Sequence, residues 1–258
     1  MTTSDKDAAG ALSALSQQHT ELADLLVSLQ PDDWQRPTRC PGWSVADVVL
    51  HLAQTDEMAV ASLEGRVGAF MAQQLEGQPP AANVDDGAAL MVERERGITP
   101  PQLLERWTTA SSTLDAMLAQ SDGHKRVTWV AGELSVRTLA TTRLAECWIH
   151  AGDVAEAVGV RLQPGERLRH VARLAWRTLP YAFAREGKRL SGPVAFELTG
   201  PGGEPWTFRP DAEPVTVVRG DGVELCMVAA RRAAPSETGL TAEGADAGEV
   251  LELVRTYA

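Results

Sequence analysis

The 258-residue sequence has few of several things, and each scarcity excludes a class of protein. Only three cysteines occur, Cys40, Cys147 and Cys226, odd in number and widely spaced, which argues against a disulfide framework and against a Cys-x-x-Cys metal site. Lysine is scarce, arginine carries most of the positive charge, and the formal net charge is −11. Phosphate neutralisation needs clustered bases, so nucleic acid and anionic membranes are not the expected partners. No apolar run is long enough to span a bilayer, and Met1–Asp7 is polar where a signal peptide would be greasy, so the expected location is the cytoplasm. Aromatic residues make up only 5%, yet hydrophobic content reaches 44% through Ala, Leu and Val, ample for a globular core.

What is present is helical periodicity with punctuation. Leu12, Leu15, Leu22, Leu25, Leu26 and Leu29 form one stripe of a first helix from about Ser4 to Leu29, stopped at Pro31. His19 lies in it as an ordinary surface or core histidine. Pro37 to Gly42 is a turn, and Ser44 caps a helix carrying His51 among apolar neighbours. Glu64 to Asn83 reads as a helix remnant and then a loop. Thr99-Pro100-Pro101-Gln102 opens a helix to about Gln120, Val127 to Gly132 is an apolar segment, and Ser135 caps a helix that Gly159 ends. Beyond Pro164 come a helix over Gly165–Gly187 and short strands at Pro193–Thr199, Trp206–Phe208 and Pro214–Val218. A capping box at Asp221–Glu224 opens a helix to Arg231-Arg232, and a last helix runs from near Asp246 to Tyr257. No Gly-rich phosphate loop is present. The expected architecture is mainly α with α+β: a four-helix bundle over residues 1–160, then a small α+β domain over 161–258.

Chemistry is suggested most strongly by Arg143-Leu144-Ala145-Glu146-Cys147-Trp148-Ile149-His150-Ala151-Gly152-Asp153. On a helix Glu146 and His150 share a face with Cβ atoms about 5–6 Å apart, a spacing that can close on one divalent ion, and Asp153 can hold the outer ring nitrogen of an imidazole. Arg143 continues the same line, while Leu144, Trp148, Ala151 and Ala155 face the other way. The same pattern also describes the solvated side of an amphipathic helix. His51 likewise reads either as a hydrogen-bonded core histidine or as a ligand. Cys147, one residue from Glu146 and so turned by roughly 100°, reads as packing. Cys40, just before the Pro-Gly turn, reads as a thiol near the site or as an inert one.

Taken together, Pro41-Gly42-Trp43-Ser44 with its helical His51, followed by Glu146-x-x-x-His150-x-x-Asp153, resembles the mycothiol-dependent maleylpyruvate isomerase-like branch of the DinB-like helical bundles, over nearly the whole chain. The resemblance implies a divalent metal, commonly zinc, held by His51, Glu146 and His150, with a position left for a thiol, water or substrate. It also implies a sterol-carrier-like C-terminal domain with an active-site arginine at the end of its capped helix, matched here by Arg231 or, alternatively, Arg232, suited to a substrate carboxylate. Those arginines also fit a plain helix C-terminal role. The implied co-substrate is mycothiol, whose ionised thiol would add to a conjugated double bond, allow rotation and leave again, or would be transferred to an electrophile. The implied substrate is a small molecule such as an unsaturated carboxylic acid. Two other readings remain open at this point, a thiol-independent metalloenzyme (isomerase, cyclase or hydrolase) and a non-catalytic metal or small-molecule binder.

Overall fold

The computed structural model describes residues 3–130 and 132–256, with side chains described from residue 10. It divides into two compact units, Met1–Leu162 and Gln163–Ala258.

The first unit is built on four long helices: α1 (Thr3–Ser28), α2 (Val45–Leu63), α5 (Pro100–Gln120) and α6 (Val136–Val158). α2 packs on both α5 and α6, and α1 packs on the same two, which makes a four-helix bundle. Its core includes Leu22, Leu26, Val45, Val48, Val49, Leu52, Leu103, Trp107, Cys147 and Ala151. Of the leucine stripe, Leu15, Leu22, Leu25 and Leu26 are buried as the spacing predicts, Leu15 and Leu22 fully, while Leu12 and Leu29 are half-buried.

Helix ends follow the capping signals. The Ser44 hydroxyl accepts from the Asp47 amide while Asp47 returns a bond to the Ser44 amide, and Ser135 accepts from the Thr138 amide. Gly159, at φ +73°, closes α6 in the left-handed region.

Two parts of the unit depart from the expectation. After α3 (Val67–Gln74) the loop ends in a further helix, α4 (Val84–Glu95), capped by Asn83. Only Gly87, Met91 and Val92 of α4 are buried, too few to give a readable stripe. The apolar segment after α5 is a two-stranded hairpin, β1 (Arg126–Trp129) paired antiparallel with β2 (Gly132–Ser135). Ala131 lies outside the described residues.

The second unit contains α7 (Leu168–Arg185) and a four-stranded sheet of β3 (Val194–Thr199), β4 (Pro205–Phe208), β5 (Thr216–Asp221) and β6 (Thr241–Gly244), ordered β4-β3-β5-β6. β3 and β5 are parallel, with Val194 opposite Thr216, and the outer strands run antiparallel to their neighbours. The polar β6 segment gives no alternation to read. Gly244, at φ +109°, ends β6 where a Cβ would stand 2.0 Å from the Val215 carbonyl oxygen, so a side chain cannot be accommodated. α8 (Gly222–Ala229) is capped by Asp221. It stops before Arg231, which takes φ +59° instead of continuing the helix. α9 (Ala247–Leu253) is shorter than expected, and Tyr257 lies outside the described residues. The buried Asp246 accepts from the Ser191 hydroxyl at 2.7 Å and the Thr216 hydroxyl at 3.2 Å, tying β5 to the start of α9.

No helix among the described residues is long and apolar enough to cross a membrane.

Candidate metal centre

The site grows from two helix faces and one turn of the first unit. The turn is set by Pro41 and by Gly42 at φ +78°, the pattern of a type II turn, with the Trp43 amide donating to the Cys40 carbonyl at 3.0 Å. Thr38 fastens it from outside, its hydroxyl donating to the Trp43 carbonyl and accepting from the Cys40 amide. The turn delivers the chain to Ser44 and so fixes the start of α2, which carries His51 two helical turns on. α6 supplies Glu146 and His150 from one face, four residues apart.

His51 Nε2 and His150 Nε2 each stand 3.6 Å from the same Glu146 oxygen, Oε2. One ligand atom from each of the three residues lies within 4.8 Å of the other two. At 3.6 Å neither contact is a normal N–H···O hydrogen bond, which prefers 2.7–3.2 Å. Donor atoms sharing one tetrahedral zinc, with bonds of about 2.0–2.1 Å, stand roughly 3.3 Å from one another, close to the spacing found. Two imidazoles and a carboxylate are a donor set suited to zinc. The residues present therefore fit a divalent ion.

Asp153 completes the arrangement. Its Oδ2 is 3.0 Å from His150 Nδ1, so that a proton on Nδ1 is donated to the carboxylate and Nε2 is left as the nitrogen available to an ion. Asp153 is only 1% exposed, and Arg143, on the same line of α6, is also 1% exposed. The face is therefore not the solvated side of an amphipathic helix. Arg143 turns away to a buried partnership of its own, Nε donating to Asp56 Oδ1 at 3.0 Å and Nη2 to the Thr55 hydroxyl at 2.7 Å. Asp56 in turn has Oδ2 3.9 Å from His19 Nε2, and His19 Nδ1 meets Asp115 at 3.1 Å. His19 is thus a buried structural histidine of the bundle interior, apart from the donor set. His124, also apart, meets Arg137 at the surface.

The electrostatics divide the two histidines. Burial pushes His51 below the ordinary imidazole value against the pull of Glu146, and the neighbouring His150 adds to the lowering. Burial works the same way on His150, but Asp153, then Cys40 and Glu146, outweigh it and hold that imidazole well above its usual range. Burial alone would raise Glu146, yet the two imidazoles, His150 first, keep it well below the usual carboxylate range, with Arg143 assisting.

Cys40 is the residue whose place the sequence left most open. Its Sγ lies 3.4 Å from Asp153 Oδ2, to which the thiol donates, and 3.8 Å from His150 Nδ1. The available signal was its position immediately before the Pro-Gly turn that leads to the His51 helix. Cys147 is buried away from the donors, its thiol near the Gln18 carbonyl at 3.9 Å, and burial pushes its pKa well up. The Trp43 ring packs 5.1 Å from that of His51, and the His51 and His150 rings meet edge-on at 5.1 Å.

Arg231 stands in the second unit just beyond α8, exposed, with Nη1 donating to the Glu252 carbonyl at 2.8 Å. The half-buried Arg232 donates to the Ala230 carbonyl at 3.1 Å.

Fold and site together define a helical bundle with a carboxylate–bis-imidazole centre, joined to a small α+β unit. A family model for the mycothiol maleylpyruvate isomerase N-terminal domain matches residues 15–155, and the chain belongs to that family. An uncharacterised protein of Mycobacterium tuberculosis, found in two strains, is 32% identical over 246 residues, spanning 95% of this chain and 93% of the relative. Crystal structures of a mycothiol-dependent maleylpyruvate isomerase and of a histidine-to-alanine mutant of it are similar in fold, with TM-scores of 0.62 and 0.61 at 18% identity, covering 94% of this chain and 96% of those chains.

Proposed function

We propose that the protein is a divalent-metal-dependent enzyme acting on a small organic substrate with mycothiol as thiol co-substrate, either as an isomerase of an unsaturated carboxylic acid or as a thiol S-transferase to an electrophile. The observation that carries the proposal is the convergence of His51 Nε2 and His150 Nε2 on one Glu146 oxygen, 3.6 Å from each. Family membership supports the thiol.

His51, Glu146 and His150 are the residues that would hold the ion. Zinc or a similar cation, when bound, supplies a Lewis acid that favours thiolate over thiol near neutral pH.

The remaining work belongs to the chain. Asp153 keeps the proton of His150 on Nδ1 and so presents Nε2 to the site. Arg143, one helical turn before Glu146, favours the ionised carboxylate. Trp43 covers one side of His51 and keeps bulk water from that ring. We assign Arg231, an exposed guanidinium with several donors, to the carboxylate of the substrate. Neither Cys147 nor Cys226 suits a nucleophile, since both are buried. Burial also raises both thiol pKa values, and the thiol of the half-buried Cys40 is committed to Asp153, which together with family membership supports an imported reacting thiol.

The test is turnover by metal-loaded protein freed of low-molecular-weight thiols, alongside elemental analysis. The expected result is about one divalent ion per chain and no turnover until mycothiol is added. Full activity without thiol would move the protein to the class of metalloenzymes that act through water or substrate oxygen, and would end the mycothiol role.

A further inference from the structure

At the start of α2, still within the first unit, opens a cavity of about 470 Å³. That volume is within the range of small-molecule sites, roughly 300–1,000 Å³. Two of its walls connect it to the centre. Trp43 lines the cavity and is also the ring packed 5.1 Å from His51. Asp47 lines it too and precedes His51 by four residues, one turn along the same face of α2.

The chemistry of the walls selects the ligand. Arg96 is the one basic side chain among the lining residues, and its charge is already met by Asp47 at 2.9 Å and Glu93 at 2.6 Å. An anion entering the cavity would face the Asp47 carboxylate and find the Arg96 charge already met. A purely apolar ligand would desolvate the Arg96–Asp47 pair and the exposed amide of Gln35 without replacing their hydrogen bonds to water. A neutral molecule rich in hydroxyls meets neither penalty: its C–H face can lie on the Trp43 ring, and its hydroxyls can pair with Gln35, Asp47 and the Arg96 guanidinium.

We infer that this cavity binds the uncharged, polyhydroxylated body of the low-molecular-weight thiol co-substrate, with Trp43 as the wall between the seat of the body and the metal donors that face its sulfur. The inference rests on the thiol reading proposed above. It adds a recognition site outside the donor set, and assigns it to residues of the Pro-Gly-Trp turn and of the segment following α4.

The probe is the N-acetylglucosaminyl-inositol body of mycothiol without its cysteine, titrated into the full-length, metal-loaded protein by calorimetry and by nitrogen-15 indole resonances. The expected result is saturable binding that moves the Trp43 indole signal. Affinity should fall about tenfold or more in Trp43→Ala and about three- to tenfold in Gln35→Ala. Should Trp43→Ala fail to fold, because its ring packs on the core, the exposed Gln35→Ala variant carries the test. Probe affinity unchanged in the folded variants, or binding of intact mycothiol with none of the sulfur-free probe, overturns the inference while leaving the thiol role standing. Conversely, Trp43-dependent probe binding in an enzyme that turns over fully without thiol sustains the polyol site and removes the function proposed for it.

Discussion

Replacing Arg143 by Met should destabilise the first unit severely, and the amount can be worked from its surroundings. The guanidinium and Asp56 are each 1% exposed, and they meet at 3.0 Å in the bundle interior. Methionine fills similar volume but leaves the Asp56 carboxylate buried with a poor neighbour, His19 Nε2 at 3.9 Å, and strips the Thr55 hydroxyl of the guanidinium at 2.7 Å. Breaking a buried pair from one side costs about 3–5 kcal/mol, a large part of the roughly 5–15 kcal/mol that holds a domain folded. At about 2–4 °C per kcal/mol for a unit of this size, the melting point should drop by roughly 6–20 °C. Removing both charges, Arg143→Met with Asp56→Leu, should recover most of the loss, since a buried pair exchanged for apolar residues is often neutral or better. Chemical denaturation of the wild type, both single variants and the double variant closes the cycle. A single Arg143→Met variant within about 1 kcal/mol of wild type would refute the reasoning, because it would mean that Asp56 finds water or another partner in place of the arginine.

Other perturbations bear on the centre itself. Replacing His51 or His150 by Ala should abolish stoichiometric metal retention, whereas His19→Ala and His124→Ala should keep it; a folded His150→Ala protein with full metal content would remove the proposed site. Asp153→Asn should weaken metal binding by about 10–100-fold, measured by competition with a chelator, since the amide orients His150 without the carboxylate's charge. pH dependence follows from the raised pKa of His150. An ion must displace the proton that His150 retains above the usual imidazole range, so affinity should climb with pH until that proton is lost, while His51, lowered, adds no such dependence near neutrality. Without metal the same raised pKa gives stability that is full below the unfolded-state value of about 6.5 and is lost as pH rises through the folded one, which thermal melts of metal-free protein across that interval would register.

Much of the bundle could be read from the sequence because its helices announce their ends. Ser44 fixes the start of α2, and Ser135 with Gly159 fixes both ends of α6, within a residue, and those two helices carry all three candidate donors. α4 escaped notice because most of its length faces away from the core, and β6 because Thr241–Gly244 is a short polar strand with no apolar alternation, joined to β5 by backbone pairing and the Arg219–Glu243 ion pair. At the site, spacing along α6 gave Glu146 and His150 a common face but said nothing of depth. The burial of Arg143 and Asp153 depends on what packs over them, which no local pattern encodes. The approach of Cys40 to Asp153 belongs to the same kind of information, a contact made across more than a hundred residues of chain.

The donor set has a consequence for the order in which this molecule can come together. Glu146 and His150 are neighbours in any helical state of α6, but His51 reaches them only after the long stretch carrying α3, α4, α5 and the hairpin has been looped out and its ends brought side by side. Before that closure the chain can offer an ion only a bidentate grip. The full set thus appears only when α2 has docked on α6, and an ion that prefers the full set rewards that long-range contact over any partly assembled bundle. Synthesis in metal-starved cells would then leave the earliest-made helices waiting on the latest-made one with nothing but packing to hold them.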